Sequence, residues 1–561
     1  MQFSGYKCRN RQNYLYIKVI ALLALIFHCI TLKSQNRSFL TLPIIQSENI
    51  KESSSENLNL TSDYNHILKI YNKLVNARGD FRYRIPDLYL KDMEGYVAFI
   101  DYNTNDIIFE KKAYDTCLKY GDSALAFLLA HELTHYYEKH AWKASFAKKN
   151  SDLKIGEKLF YFDDQLINET EADYLGAFLC FTAGFGIFDD GYNLISDLYQ
   201  AYELPDSLYG YPSKNERKEL LKRSAAMVKS LAVVFDFANY LSVTGDFEES
   251  YLCYRNILNY YQSRELYNNL GVTAVSSAMS YFSPTELQFK YVNELDVKYN
   301  GAKSVSMRNK LLEQAIAQFN AAINLDPDYA PAYLNKANAY ALLNEYKKST
   351  FYLNEEALPI ALKNKDKFQK TVLDISILQG IIDAKEGRID EARNAFQKAA
   401  ELGSELGKEN LTYLNNPELF QNAISIKNNP SYMKEKVNGM SLEKFYEELI
   451  VDEDNMVELN EDFTIFQDNS HPDLYQILLL HQKSKKKYKA FLITPENYTG
   501  KTNLGLKVGD DTEKLKMLYG NPANIVDTTL GQYWNYGNFL VIIERNLIKQ
   551  WIYYETQILS F

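Results

Sequence analysis

The residues of this chain best suited to chemistry are two histidines four apart with a glutamate between them, His131-Glu132-Leu133-Thr134-His135. On a helix that spacing puts both imidazoles on one face, about one turn apart. Two neutral ring nitrogens can then reach a single Zn²⁺ at about 2.0–2.1 Å. Glu132 follows the first histidine directly, so its carboxylate projects beside the ion rather than onto it. There it can take a proton from an attacking water. A catalytic site that keeps one position for water needs a third protein ligand. Downstream lies Glu169-Thr170-Glu171-Ala172-Asp173-Tyr174-Leu175-Gly176. By geometry alone Glu169, Glu171 and Asp173 are all eligible. Glu169 and Asp173 share a helical face, so one can ligate while the other fixes a histidine through its free ring N–H.

These residues need two helices that meet. The apolar run Ala124 to Ala130 leads into the first motif, and helical periodicity extends from Ser123 to His140. A solvated helix that happens to carry two histidines would not have that run. A second helix is expected over Leu166 to Ala183, ended by Gly184 and Gly186. Ala172 and Gly176 are small enough to let the two approach. Upstream, Tyr64 to Leu74 is helical, and residues 82–111 alternate as a hairpin, Tyr96 to Ile100 and Ile107 to Phe109, turning at Asn103-Thr104-Asn105. His66, His471 and His481 are isolated and carry no site.

The chain has 561 residues and a formal net charge of -10, from 62 basic and 72 acidic side chains. Phosphate binding needs clustered positive charge, so a nucleic-acid-binding surface is not expected. Residues 1–18 hold Lys7, Arg9, Arg11 and Lys18 and no acid; an apolar run from Val19 to Ile30 follows. A basic stretch and about a dozen apolar residues describe a secretory signal better than a membrane span, which needs about 20. If the signal stays uncleaved, it would tether the protein to a membrane. Without that leader the chain keeps Cys117, Cys180 and Cys253, too few for a disulfide scaffold or a cysteine-held metal.

Residues 231–402 repeat. Ala315, Phe319, Ala322 and Pro327 have the second-helix spacing of a tetratricopeptide unit, and Tyr333, Ala337 and Tyr340 the first-helix spacing of the next. Gly380, Ala392, Phe396 and Ala399 form a further unit. Tyr267, Leu270 and Gly271 open another, and Ser250 and Tyr254 close an earlier one. The stretch resembles the tetratricopeptide family, in about four units. The resemblance implies a solenoid with a concave face for a protein partner. Residues 441–561 change character, with Gly509-Asp510, a short helix pattern, Tyr519-Gly520-Asn521-Pro522 and strands at Phe539 to Ile543 and Gln550 to Tyr554. That order is similar to small outer-membrane assembly lipoprotein domains and carries no catalytic residue; a protein-contact role is expected.

His-Glu-Leu-Thr-His with His140 five residues on, followed by Glu-x-x-Ala-Asp-x-x-Gly, resembles the gluzincin metallopeptidases of the HtpX and BepA type, which include the CAAX-prenyl endopeptidases. The resemblance covers roughly residues 60–225. It implies zinc held by His131, His135 and Glu169, Glu132 as catalytic base, and Asp173 steadying a ligand ring. It implies that the hairpin's edge strand lines a cleft where an extended peptide docks by strand addition. It makes His140 a structural residue. The family carries a His-Pro pair and then an arginine. Here Tyr211-Pro212 stands in that place and Arg217 is kept. A Tyr211 hydroxyl could donate to an oxyanion.

The expected architecture is therefore multidomain. Residues 1–35 are a signal peptide, 36–60 a linker, and 61–228 a mainly α, zincin-like zinc metallopeptidase domain with a small β-hairpin. Residues 229–405 are tetratricopeptide repeats with an insertion near 281–308, 406–440 a second linker, and 441–561 a small α+β domain. The expected function is a zinc-dependent endopeptidase of the bacterial envelope, exported or periplasmic, in protein quality control or processing. Its substrate would be an unfolded or misassembled envelope polypeptide recruited by the repeats. The alternative is a non-catalytic repeat scaffold with a silent peptidase domain.

Overall fold

The computed structural model describes residues 58–555 apart from 94, 102–103, 141, most of 144–164, 187, 208–212, 294–304, 421–435, 438–439, 442–455, 470–473, 483–486 and 529–530. The signal peptide and nearly all of the first expected linker lie outside the described residues, as does Tyr211.

The first part of the chain runs α1 (Leu58–Arg78), β1 (Leu88–Lys91), β2 (Ala98–Asp101), β3 (Asp106–Glu110), α2 (Lys111–Leu118), α3 (Asp122–Tyr137), α4 (Gln165–Thr182) and α5 (Gly191–Ala201). The three strands lie in the order β1-β3-β2, with β2 antiparallel and β1 parallel to β3. The hairpin read from the sequence is β2 and β3; the parallel partner β1 was not foreseen. Strand β3 is central and buried throughout, which leaves β2 as an edge strand beside α3. Helix α3 is buried on nearly every side, from Ala124 to Leu133 except Glu132. Its even apolarity makes it a core helix rather than an amphipathic one.

Helix α6 (Lys214–Thr244) spans 31 residues. It starts at a capping box between Ser213 and Glu216, which satisfies two helix-end groups reciprocally. It stops at Gly245, whose φ of 82° is left-handed. The expected boundary between residues 228 and 229 falls within this helix, which runs across it unbroken, with buried residues from Leu221 through Thr244. After it come α7 (Phe247–Leu258), α8 (Arg264–Met279), α9 (Pro284–Leu287), α10 (Val305–Leu325) and α11 (Ala330–Leu342). Helix α12 (Tyr346–Phe351) continues through a π-helical turn (Tyr352–Ala357) into α13 (Leu358–Lys363), followed by α14 (Gln369–Lys385), α15 (Ile389–Glu401) and α16 (Glu405–Asn415).

Small residues set how these helices pair. A Cβ on Gly271 of α8 would lie 2.5 Å from the Phe319 ring of α10, and one on Gly380 of α14 would lie 2.8 Å from the Phe396 ring of α15. In the α6–α7 pair Ser250 donates its hydroxyl to the Ala238 carbonyl at 2.8 Å, and in the α11–α12 pair Ser349 does the same to Ala337 at 2.7 Å. Of the expected linker 406–440, residues 406–415 lie in α16, and 421–435 and 438–439 lie outside the described residues. Fully buried Asn410 both accepts from the Lys290 N–H at 2.9 Å and donates to the Lys290 carbonyl at 2.8 Å. A polar composition concealed a side chain that satisfies backbone groups, which a linker would leave to water.

Beyond a short pair, β4 (Lys436–Val437) and β5 (Met440–Ser441), the C-terminal region is an eight-stranded antiparallel sheet. Its strands are β6 (Met456–Glu458), β7 (Phe463–Asp468), β8 (Tyr475–His481), β9 (Lys487–Ile493), β10 (Asn524–Thr528), β11 (Gly531–Asn535), β12 (Phe539–Glu544) and β13 (Leu547–Glu555), with α17 (Thr512–Tyr519) between β9 and β10. Their order is β10-β11-β12-β13-β9-β8-β7-β6. Two four-stranded meanders thus join through their last strands, β9 to β13. One face carries its own core, with Trp551, Phe539 and Leu515 of α17. The other face, including Ile477, Phe491 and Tyr533, joins the core of the helices. Phe491 packs edge-on against Phe237 of α6 with ring centroids 5.2 Å apart.

The expected small, linker-tethered domain is in fact a sheet docked on α6 and α7. Lys489 of β9 reaches Asp246 at 2.6 Å and Glu249 at 3.4 Å; the lysine is buried and the two carboxylates keep only a small exposure. Removing the cation from such a cluster leaves uncompensated buried carboxylates, which costs about 3–5 kcal/mol. Lys489→Met should therefore lower the stability of the full chain by about 3 kcal/mol. Denaturant unfolding with matched slopes checks this, and a loss below about 0.5 kcal/mol would contradict the docking.

Candidate metal centre

The site is built by one close helix crossing. A Cβ added to Gly176 of α4 would lie 2.9 Å from the backbone nitrogen of His131 and 3.0 Å from the carbonyl carbon of Ala130. Only a glycine tolerates that approach. Ala172, fully buried, is the other small residue on this stretch of α4. Toward its N-terminus α4 then presents Asp173 to His131, and Glu169 to both His131 and His135.

Three ligand atoms converge. His131 Nε2 and His135 Nε2 are 3.0 Å apart. Glu169 places Oε2 3.4 Å from His131 Nε2 and Oε1 3.5 Å from His135 Nε2. Ligand atoms in a tetrahedral zinc shell at about 2.0–2.1 Å lie about 3.3–3.4 Å from one another. The two carboxylate contacts, one from each oxygen, are close to that length and the ring–ring distance is a few tenths shorter, and the donor set of two imidazoles and a carboxylate suits zinc. His131, His135 and Glu169 also form a group able to hold one metal ion.

The alternatives left open by sequence spacing separate here. Asp173 Oδ1 bonds His131 Nδ1 at 2.8 Å, on the far side of the ring from Nε2. It fixes the tautomer and cannot also reach the ion. Glu171 turns away to His140 Nε2 at 3.1 Å. Only Glu169 of the three acids faces both Nε2 atoms. Arg217, near the start of α6, lies 3.4 Å from Glu169 Oε2 and 3.7 Å from Asp173 Oδ1. Its Nε is buried without a partner among the described residues. Glu132 is half-buried beside the triangle.

Electrostatics follow from this packing. Burial pulls the His131 imidazole down, but the hydrogen bond it donates to Asp173 and the charges of Asp173 and Glu169 outweigh it and hold its pKa at about 10. Burial and the neighbouring His131 push His135 down to about 3. Burial pushes the Glu132 carboxyl up to about 7. Glu169 is held well below the usual carboxylate range: burial opposes ionisation, but His131, Arg217 and His135 prevail. Arg217 is raised by Asp173 and Glu169 against the cost of its burial. Beside Arg217, the second positive partner of this acidic cluster is the His131 proton.

No family model matches the chain. Among curated proteins it is 33% identical to tetratricopeptide repeat protein 36 of Xenopus tropicalis over 120 residues, 21% of this chain and 56% of that protein. It is 34% identical to the Bos taurus protein of the same name over 104 residues, 18% of this chain and 53% of that protein. The chain thus spans about half the length of the curated relatives it matches. The likeness supports tetratricopeptide-like content over a fifth of the chain, and the relatives' names say nothing of a metal site.

Zinc uptake should expel the His131 proton. At pH 8 Glu132 has already lost its proton while His131 still holds one, so at least about one proton should leave per ion bound. As pH falls through about 7 Glu132 adds to that number, and apparent affinity drops. Both groups hold more protons in the ion-free state, so affinity rises with pH. Calorimetry in buffers of different ionisation enthalpy reads the count; no release at pH 8 would contradict this electrostatic assignment.

Proposed function

We propose that the chain is a zinc-dependent endopeptidase of gluzincin type. The observation that carries this reading is the triangle of His131, His135 and Glu169, with Glu132 at its side. Zinc held there would supply a Lewis acid that polarises a scissile carbonyl and acidifies water. Glu132 takes one proton from the attacking water as its oxygen bonds to the carbonyl carbon. It then returns that proton to the amine nitrogen as the C–N bond breaks. Asp173 keeps His131 in the tautomer that presents Nε2. Arg217 helps keep Glu169 ionised and pairs with Asp173 as well. The edge strand β2, beside α3, accepts an extended polypeptide by backbone pairing.

The substrate on this reading is an unfolded or misassembled polypeptide of the bacterial envelope. The chain is exported, and the helical repeats recruit the substrate or a protein partner. A second reading, a repeat scaffold with a silent peptidase part, draws on the relatives, whose names speak of repeats alone.

Glu132→Gln separates the two. It should keep one zinc per chain and lose about 10²–10⁴-fold in cleavage of an unfolded polypeptide, the usual worth of a general base. Turnover equal to wild type would exclude the enzymatic reading and leave the scaffold.

A further inference from the structure

The second ligand histidine has a support that its sequence position does not suggest. His140 is 3% exposed and lies beyond the end of α3, after Lys139, whose φ of 60° is left-handed. That turn folds the chain back, so that His140 Nδ1 meets His135 Nδ1 at 2.7 Å and the two rings stand at 82°. On its other side His140 Nε2 meets Glu171 Oε2 at 3.1 Å. The proton positions follow by elimination. An ionised carboxylate only accepts, so His140 Nε2 must carry hydrogen. In a neutral imidazole Nδ1 is then the acceptor. His135 Nδ1 must therefore donate, and the His135 lone pair is left on Nε2. That nitrogen is the one facing His131 and Glu169.

We propose that His140 and Glu171 are positioning residues that lock His135 in its metal-binding tautomer through a carboxylate–imidazole–imidazole relay. His131 has a one-step version of this device in Asp173. The two relays come from α4 residues two apart, Glu171 and Asp173, so one helix sets the lone pairs of both ligands. Glu169, two residues earlier, completes the shell. This inference rests on the zinc reading above and extends it to groups that do not touch the ion.

The test compares zinc affinity, by competition with a chromophoric chelator, and the visible spectrum of the cobalt-loaded full chain. Losing an outer partner of a ligand histidine costs about 10–100-fold in metal affinity. His140→Phe should show that loss together with a changed cobalt spectrum. His140→Gln, whose amide can accept from His135 and donate to Glu171, should recover most of it. Glu171 is partly exposed, so Glu171→Ala should fold and should also bind zinc more weakly. Affinities of His140→Phe and Glu171→Ala within about twofold of wild type would overturn the relay while leaving the zinc site standing. Failure of His140→Gln to recover binding would reduce His140 to a packing role. Wild type that takes up no metal would overturn both readings.

Discussion

One contact governs the site: the crossing of α3 and α4 at Gly176, where the backbone of one helix touches the backbone of the other. Everything chemical lies within two turns of that point. Because α4 rests directly on His131, Asp173 meets its Nδ1 and Glu169 reaches its Nε2 without long, flexible side chains. Interiors pack too densely to absorb an extra methyl group between two backbones. The same closeness makes the cluster strongly electrostatic. Glu132, Glu169 and Asp173 share it with Arg217, and in the absence of an ion the His131 proton supplies the missing positive charge. A dication would take over that role.

Helix α6 ties this centre to the rest of the molecule. Its first turn carries Arg217 against Glu169 and Asp173. Its last turns hold Ala238, bonded by Ser250 in the first helix pair, and Val243, whose carbonyl accepts from Asn535 of the C-terminal sheet at 3.1 Å. A single long helix thus runs from the candidate metal centre to the helix pairs and to the C-terminal sheet. The buried Lys489 cluster fixes the sheet to the α6–α7 turn. On the proposed reading, substrate held by the repeats is presented to a site that cannot drift relative to them.

Much of this was legible in the sequence because helical spacing maps directly onto a face. His131, Glu132 and His135 could be placed from their four-residue period, and Ala172 and Gly176 predicted the close crossing. The choice of Glu169 over Glu171 and Asp173 was not available from spacing, since all three lie on one short stretch; it needed the direction of each side chain. The His140 relay was hidden because five residues is not a helical neighbour distance, and Lys139 had to adopt a left-handed turn to create the contact. The boundary expected at residue 228 falls inside α6, where a continuous apolar pattern leaves no break to read. The C-terminal sheet was underestimated because its strands alternate between two buried faces, one filled by α17 and the other by distant helices.

The central claim is that two imidazoles and one carboxylate grip a single divalent ion. Elemental analysis of the purified full chain beside Glu169→Ala, after dialysis against trace zinc, addresses it directly. The account predicts about one zinc per wild-type chain and a large loss in the variant, since retention of the ion depends on the third ligand. Equal zinc in both proteins, or none in either, would contradict it.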